Sequence, residues 1–332
     1  MHPKSERIEM ALRVIDKRGR SAMERARQEI LASQYDGGVV SSALRYYASV
    51  TLPSVLPLFP ALISIACEAV GGKTEKIEVI SAAMVLITSA GDIHDDLIDK
   101  STSKYSKKTV FGEFGSGITL LAGDALLVQG LTLLHDKCES LTKNQRQAIS
   151  SLIPEAFFEI SKAEAEEIQL MTKPVITPRE YFDVIRLKGT VAEAMCRIGG
   201  ILGNADEKTL ESLGNYGRTI GILSTIKDEF GDICDTLELQ HRLLNECPPL
   251  PMLYALQNPQ IRSKVESLIE NSNLTKKDAK KITKVILDSE EVRKLTKEMS
   301  QLAKNELNSF LIQRSIVKTD AKLLLTIMAT CS

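Results

Sequence analysis

Two short acidic stretches carry the side chains best placed to do chemistry: Gly91-Asp-Ile-His-Asp-Asp-Leu-Ile-Asp99 and Lys227-Asp-Glu-Phe-Gly-Asp232. Each sets three acids at i, i+1 and i+4: Asp95, Asp96 and Asp99 in the first, Asp228, Glu229 and Asp232 in the second. At about 100° per residue, such a trio shares a helix arc of roughly 100°. Carboxylates crowded this closely repel one another and raise each other's pKa unless a cation joins them. Two clusters facing one another across a helical bundle would hold hard divalent cations and a polyphosphate.

The elements that must position these acids read as helix almost throughout. Residues 5–33 are amphipathic and charged, and Asp36-Gly-Gly38 breaks them. Helices follow at 39–48 and 54–70, the second closed by Gly71-Gly72. A long apolar helix over 75–99 ends in the first acidic cluster, and the polar, basic stretch 100–110 reads as a loop. Further helices are expected at 116–136, 143–171, 178–202 and 206–235, the last carrying the second cluster. Asn245-Glu-Cys-Pro-Pro249 marks a loop, and shorter charged helices fill 250–332. The fold class is all-α, a helical bundle in one domain over residues 1–332.

Composition narrows the function. The chain has 332 residues, 43% of them hydrophobic, and a formal net charge of −1, which speaks against non-specific nucleic-acid binding and makes any phosphate site local. Cys67, Cys138, Cys196, Cys234, Cys247 and Cys331 show no CxxC spacing and read as free thiols in a reducing cytoplasm. The charged N-terminus does not resemble a signal peptide. The longest apolar run, Leu52–Ala69, contains three prolines and is too broken for a transmembrane helix.

Five segments, in order, resemble the trans-isoprenyl diphosphate synthases, also called polyprenyl synthetases. Asp95-Asp-Leu-Ile-Asp99 is similar to that family's first aspartate-rich motif, and Asp228-Glu-Phe-Gly-Asp232 to its second, with Glu for one Asp. Leu121-Ala-Gly-Asp-Ala-Leu-Leu127 is similar to the helix after the first motif, and Leu250-Pro-Met-Leu-Tyr-Ala-Leu256 to the helix after the second. Glu180-Tyr-Phe-Asp-Val-Ile-Arg-Leu-Lys-Gly-Thr190 is similar to the family's Lys-Thr segment, with Gly189 interposed. The resemblance implies an isoprenoid synthase-type bundle around a deep apolar cavity. At its mouth the acidic motifs would bind three Mg²⁺ and an allylic diphosphate. It also implies a homodimer. Mg²⁺ keeps positions open for phosphate oxygens and favours ionisation of the allylic C–O bond, and an apolar pocket shields the cation from water.

The chain departs from the family where a second substrate, isopentenyl diphosphate, would bind. The family's basic Gly-Gly-Lys-Arg-x-Arg-Pro segment corresponds to Ser54-Val-Leu-Pro-Leu-Phe-Pro60, which puts Leu56, Pro57 and Phe59 at the basic positions. Lys104-Tyr105 stands at the family's Arg-Arg pair, and the later Lys is missing near Glu246-Cys-Pro-Pro249. Each charge-assisted hydrogen bond to phosphate contributes about 1.5–3 kcal/mol. Losing three would cost roughly 5–9 kcal/mol, or on the order of a thousand-fold to a million-fold in affinity. Ionisation without an external acceptor points to a class I terpene synthase, a diphosphate lyase that cyclises its own carbocation. The rival readings are a chain-elongating prenyltransferase with its cationic site rebuilt, for example from Arg45 or Lys104, and a non-catalytic subunit of a heteromeric synthase.

Individual residues carry further expectations. The resemblance makes Asp95, Asp96, Asp99, Asp228, Glu229 and Asp232 metal ligands, with Asp95, Asp96, Asp99 and Asp228 central to catalysis. It makes Lys188 a diphosphate contact, and Lys227, Lys107 and Thr225 are candidates for the same role, Lys108 lying beside Lys107. Family pocket-floor positions fall on Ile87, Ala90 and Gly91, whose small residues leave room for a geranylgeranyl or geranylfarnesyl chain. Asp92 shares the first acidic arc outside the motif and reads as a supporting or solvated group, and Asp235 as a solvated neighbour. His94 reads as a packed or capping histidine, since Mg²⁺ prefers oxygen. Phe59, Phe111, Phe157 and Phe158 read as core, with cation-stabilising π faces as the sharper alternative.

Overall fold

The computed structural model describes residues 3–33, 36–72, 77–138, 141–269 and 275–313. Cys331 and the chain beyond 313 therefore lie outside the described residues, as does the side chain of Cys138. Among the described residues there are fifteen α-helices and a single two-stranded hairpin. The chain divides into two compact units: an N-terminal unit, Glu9–Leu152 with Met195–Leu210, and a C-terminal unit, Met1–Ile8 with Ile153–Ala194 and Glu211–Ser332.

The N-terminal unit takes α1 (Pro3–Leu31) from Glu9 onward, followed by α2 (Val39–Tyr46). The expected helix at 54–70 is shorter: a π-helical turn, Tyr47–Thr51, and a 3₁₀ turn, Leu52–Ser54, precede α3 (Leu58–Ala69). Pro53 and Pro57 account for the break, since neither supplies the N–H a continuous helix needs. The acidic helix α4 (Ile77–Ile98) is stopped by Lys100 in the left-handed region, at φ 56°, with the Ser101 N–H closing back on the Asp96 carbonyl at 2.8 Å. The expected loop at 100–110 instead forms a hairpin of β1 (Ser103–Lys104) and β2 (Lys107–Lys108). Tyr105 and Ser106 turn it, both with positive φ, as the favoured two-residue hairpin turn requires.

After α5 (Val110–Phe114), the long apolar α6 (Ser116–Cys138) packs along α4. Gly123 permits that approach, because a Cβ there would lie 2.3 Å from the His94 ring. Contrary to the expectation of no membrane-spanning segment, Ile77–Ile98 and Ser116–Asp136 are long and apolar enough to cross a membrane by length and composition. The bent pair Val39–Ser54 and Leu58–Ala69 passes only as a broken span.

Helix α7 (Lys143–Met171) matches its expected range. The helix expected over 178–202 is two, α8 (Pro178–Lys188) and α9 (Thr190–Leu202). Thr177 and Glu180 form a reciprocal capping box at the start of α8, with Pro178 at its first position. Gly189 separates α8 from α9 and meets Gly221 of α10 (Glu207–Cys234) so closely that a Cβ on Gly221 would lie 2.8 Å from the Gly189 Cα. The C-terminal unit continues with α11 (Thr236–Asn245), α12 (Leu250–Ala255), α13 (Pro259–Ile269), α14 (Lys276–Leu287) and α15 (Glu290–Gln313). Ile233, Leu239, Met252, Val265, Ile282, Ile286 and Val292 build one buried core there. Cys67, Cys196, Cys234 and Cys247 are free thiols, as expected. Phe157 and Phe158 are not core: they are 45% and 74% exposed on α7 and contact one another edge to face.

Candidate functional site

The first acidic cluster occupies the last turns of α4 and splits by environment. Asp96 is buried at 1% exposure, whereas Asp95 and Asp99 are half-buried. Lys104, delivered by β1, places its Nζ 2.8 Å from Asp92 Oδ1 and 3.0 Å from Asp96 Oδ1. Burial pushes the Asp96 carboxyl up to about 7, the Lys104 charge pulls it down, and Asp92 and Asp95 raise it. Burial works against the Lys104 charge, but Asp92, Asp96 and Asp95 outweigh it and raise that pKa well above the usual value. Asp92, read from sequence as a supporting or solvated group, is thus a direct partner of this lysine. His94 packs on α6, its Nε2 3.2 Å from Asp124 Oδ1, which agrees with a packed histidine.

The second cluster, on α10, joins a buried polar network inside the C-terminal unit. Glu229 is 2% exposed, and both its oxygens are engaged. Oε1 accepts from the Tyr181 hydroxyl at 2.5 Å and from Arg242 at 3.3 Å, while Oε2 accepts from the Leu250 N–H at 2.9 Å. Glu229, expected as a metal ligand, ties α10 to α8, α11 and α12 through these contacts. Arg242 also reaches Asp232 Oδ2 at 3.1 Å and Glu246 Oε2 at 3.1 Å. Burial pushes Asp232 up to about 7 despite the pull of Arg242, and burial raises Asp228 against the pull of Lys227. The Tyr181 hydroxyl oxygen also lies 3.3 Å from Glu167 Oε1, and Lys188 lies 2.6 Å from Glu167 Oε2 and 3.1 Å from Glu164. The network therefore runs from Lys188 through Glu167 and Tyr181 to Glu229, Arg242 and Asp232.

Other candidates are placed differently from expectation. The Thr225 hydroxyl, expected as a diphosphate contact, donates to the Gly221 carbonyl of its own helix at 3.1 Å. Lys107 donates to the Val50 carbonyl at 3.1 Å and to Ser54 Oγ at 3.0 Å, and Lys108 pairs with Glu113 at 3.0 Å. Ala90 is buried, and Ile87 lies against α6, where a Cβ on Gly130 would come 2.8 Å from its Cγ1. Of the three expected pocket-floor positions, Gly91 is exposed, with no atom within 4 Å of a Cβ built there. Asp235 is exposed, in line with its reading as a solvated neighbour, and it also caps α11 by accepting from the Leu237 and Glu238 N–H groups.

Among the described residues, no group of three or more His, Cys, Asp or Glu side chains is drawn together in metal-binding geometry. The donor chemistry nevertheless fits a hard divalent cation: oxygen ligands only, on one helix face in each cluster, with Asp228 and Asp232 reluctant to ionise without more positive charge. Sequence reasoning missed Arg242, Tyr181 and Glu167. Tyr181 lies in the segment that resembles the Lys-Thr motif, but nothing in its spacing shows that its hydroxyl reaches α10.

Residues 57–286 match the family model described as polyprenyl synthetase. A geranylgeranyl diphosphate synthase of Methanosarcina mazei is 28% identical over 182 residues, covering 53% of this chain and 54% of that protein. Heptaprenyl diphosphate synthase component 2 of Bacillus subtilis is 26% identical, covering 64% and 60%. Octaprenyl diphosphate synthase of Escherichia coli is 27% identical, covering 64% and 67%. The chain spans about half to two thirds of the length of these curated relatives. The fold matches a geranylgeranyl pyrophosphate synthetase from Pyrococcus horikoshii with TM-score 0.81, 21% identity and 97% of both chains covered. It also matches a polyprenyl synthase from Caulobacter crescentus, complexed with calcium and isoprenyl diphosphate, with TM-score 0.77, 17% identity and 96% of both chains covered. The match over both acidic clusters and the helices between them identifies the chain as a member of the polyprenyl synthetase family.

Proposed function

We propose that the chain is a Mg²⁺-dependent, chain-elongating trans-prenyltransferase that extends an allylic diphosphate with isopentenyl diphosphate to a geranylgeranyl or longer product. The observation that carries this reading is the family match across both acidic clusters, together with relatives named as geranylgeranyl, heptaprenyl and octaprenyl diphosphate synthases. It replaces terpene cyclisation, which rested on Leu56, Pro57 and Phe59 standing at basic positions. Lys107 weakens that argument, because its ammonium group reaches Ser54, at the start of the stretch that lacks those charges.

Asp95 and Asp99, with Asp228 and Asp232, are the carboxylates that would hold Mg²⁺. When bound, Mg²⁺ neutralises the departing diphosphate and so favours ionisation. Asp96 and Glu229 keep the two helices in place through Lys104 and through Tyr181, Arg242 and the Leu250 N–H. Lys188 and Lys227 supply positive charge for the diphosphate, Lys188 being steered by Glu164 and Glu167. The whole chain acts as one catalytic domain and works in the cytoplasm.

The test is incubation of purified protein and Mg²⁺ with geranyl, farnesyl or geranylgeranyl diphosphate, with and without isopentenyl diphosphate. A longer prenyl diphosphate formed only with both substrates is expected. A hexane-extractable hydrocarbon from the allylic substrate alone would overturn elongation in favour of cyclisation. Product length depends on Gly91, beside which space is open. Gly91→Phe is expected to shorten the main product by at least one five-carbon unit with turnover kept within about tenfold, since a bulky floor excludes the longer chain sterically. An unchanged product distribution counts against Gly91 as the floor.

We also propose a homodimer formed through α6. Leu120, Leu121, Val128 and Leu131 are 48%, 52%, 63% and 42% exposed, and they fall within a roughly 100° arc of that helix. Asp124, its side chain 60% exposed, is the one acid within that arc, and such a mostly apolar stripe on a helix surface marks an association site. Val128→Asp is expected to turn the dimer into a monomer in size-exclusion chromatography with light scattering, because a carboxylate has no partner in an apolar interface. A wild-type monomer would sink the proposal.

A further inference from the structure

The acids of α4 form two neighbouring rows, Asp92 with Asp96 and Asp95 with Asp99, each pair one turn apart. The first row already holds a cation, since Lys104 Nζ sits 2.8 Å and 3.0 Å from its two carboxylates. Asp96 is buried, and a buried carboxylate persists only with a counter-charge beside it. The other oxygen of Asp92 faces the hydroxyl of fully buried Tyr47 at 3.5 Å. The element that delivers Lys104 is held in demanding geometry: Tyr105 and Ser106 both carry positive φ, where a Cβ is unfavourable. Its base is fastened by Thr109, whose N–H donates to the Thr102 carbonyl at 3.1 Å and whose Oγ1 donates to the Ser101 carbonyl. Lys104 is thus carried on a short, pinned hairpin rather than on a free loop.

We propose that Lys104 is a resident cation of the first acidic cluster: its ammonium group occupies the Asp92–Asp96 row and confines divalent metal to the Asp95–Asp99 row. Asp92 and Lys104 are positioning residues in this scheme, and Asp96 serves as a counter-ion instead of a metal ligand. A lysine ammonium and a divalent cation compete for the same carboxylate oxygens, and two positive charges a few ångströms apart repel each other strongly in a partly buried site. The inference rests on the reading of Asp95 and Asp99 as metal ligands.

Mn²⁺ titration of the full-length protein, followed by the electron paramagnetic resonance of free Mn²⁺ with and without inorganic pyrophosphate, tests it. Lys104→Met is expected to bind one further Mn²⁺ per chain, or to bind Mn²⁺ at least about tenfold more tightly, because the competing charge is gone. Lys104→Arg is expected to match the wild type. Equal stoichiometry and affinity in wild type and Lys104→Met overturns the proposal while leaving the metal site standing. No Mn²⁺ binding by either protein in any condition overturns the metal reading, and the proposal with it. Limited acetylation of the wild type, read by mass spectrometry, gives a measurement independent of any variant. Lys104 should react more slowly than Lys107 and remain protected at saturating Mn²⁺. Acetylation of Lys104 that Mn²⁺ accelerates would show metal displacing the lysine and would overturn the proposal.

Discussion

Asp99→Asn is expected to lower kcat on the order of a thousand-fold at saturating Mg²⁺ and to leave the melting temperature of the metal-free protein nearly unchanged. Asp99 directly follows α4, half-buried and one turn from Asp95, where a metal-bound diphosphate would gain negative charge as it departs. Stabilising that charge contributes several kcal/mol, and each 1.4 kcal/mol is a factor of ten in rate. The loss belongs in kcat more than in KM, because the charge on the leaving group is greatest in the transition state. Asn keeps the shape and one oxygen but removes the negative charge, so the comparison isolates electrostatics. Steady-state kinetics across a Mg²⁺ series checks the prediction. An Asp99→Asn enzyme that keeps more than about a tenth of wild-type kcat would remove this residue from the metal site.

Arg242→Leu is expected to destabilise the fold by about 3–5 kcal/mol, the cost of leaving buried carboxylates without their counter-charge. Arg242 is 9% exposed and is the shared partner of Glu229, Asp232 and Glu246. For a chain of this size the loss corresponds to a fall in melting temperature of roughly 5–10 °C. Adding Glu229→Gln to Arg242→Leu should recover part of the loss. Glutamine carries no charge, and its carbonyl oxygen still accepts from the Leu250 N–H or the Tyr181 hydroxyl. Thermal and urea unfolding with EDTA present measure both effects without contribution from bound metal. A stability within about 1 kcal/mol of wild type for Arg242→Leu would mean that solvent, not Arg242, balances these acids.

Much of the local structure was legible before any coordinates. The helix at 143–171, the Thr-Pro-x-Glu start of α8 and the apolar run into the first acidic cluster are each written into the chain through near-neighbour physics. The splits were less legible. The π turn at Tyr47–Thr51 and the division at Gly189 depend on what packs alongside, and the hairpin at 103–108 uses Tyr-Ser where Gly or Asn would announce the turn.

By itself, the sequence determined the family, the all-α class and the positions of the acids around two helix axes, because helical period fixes angular placement. It could not rank those acids. Asp95 and Asp96, or Asp228 and Glu229, are adjacent in sequence and share an arc, yet Asp96 and Glu229 are the members of each pair that are buried, beside Lys104 and Arg242. That difference comes from residues brought from elsewhere: Lys104 on its hairpin, Tyr181 on α8, Arg242 on α11 and the Leu250 N–H on α12. Desolvation and counter-charge are set by what packs against a side chain, so only the tertiary structure decided which carboxylates are enclosed with a basic partner.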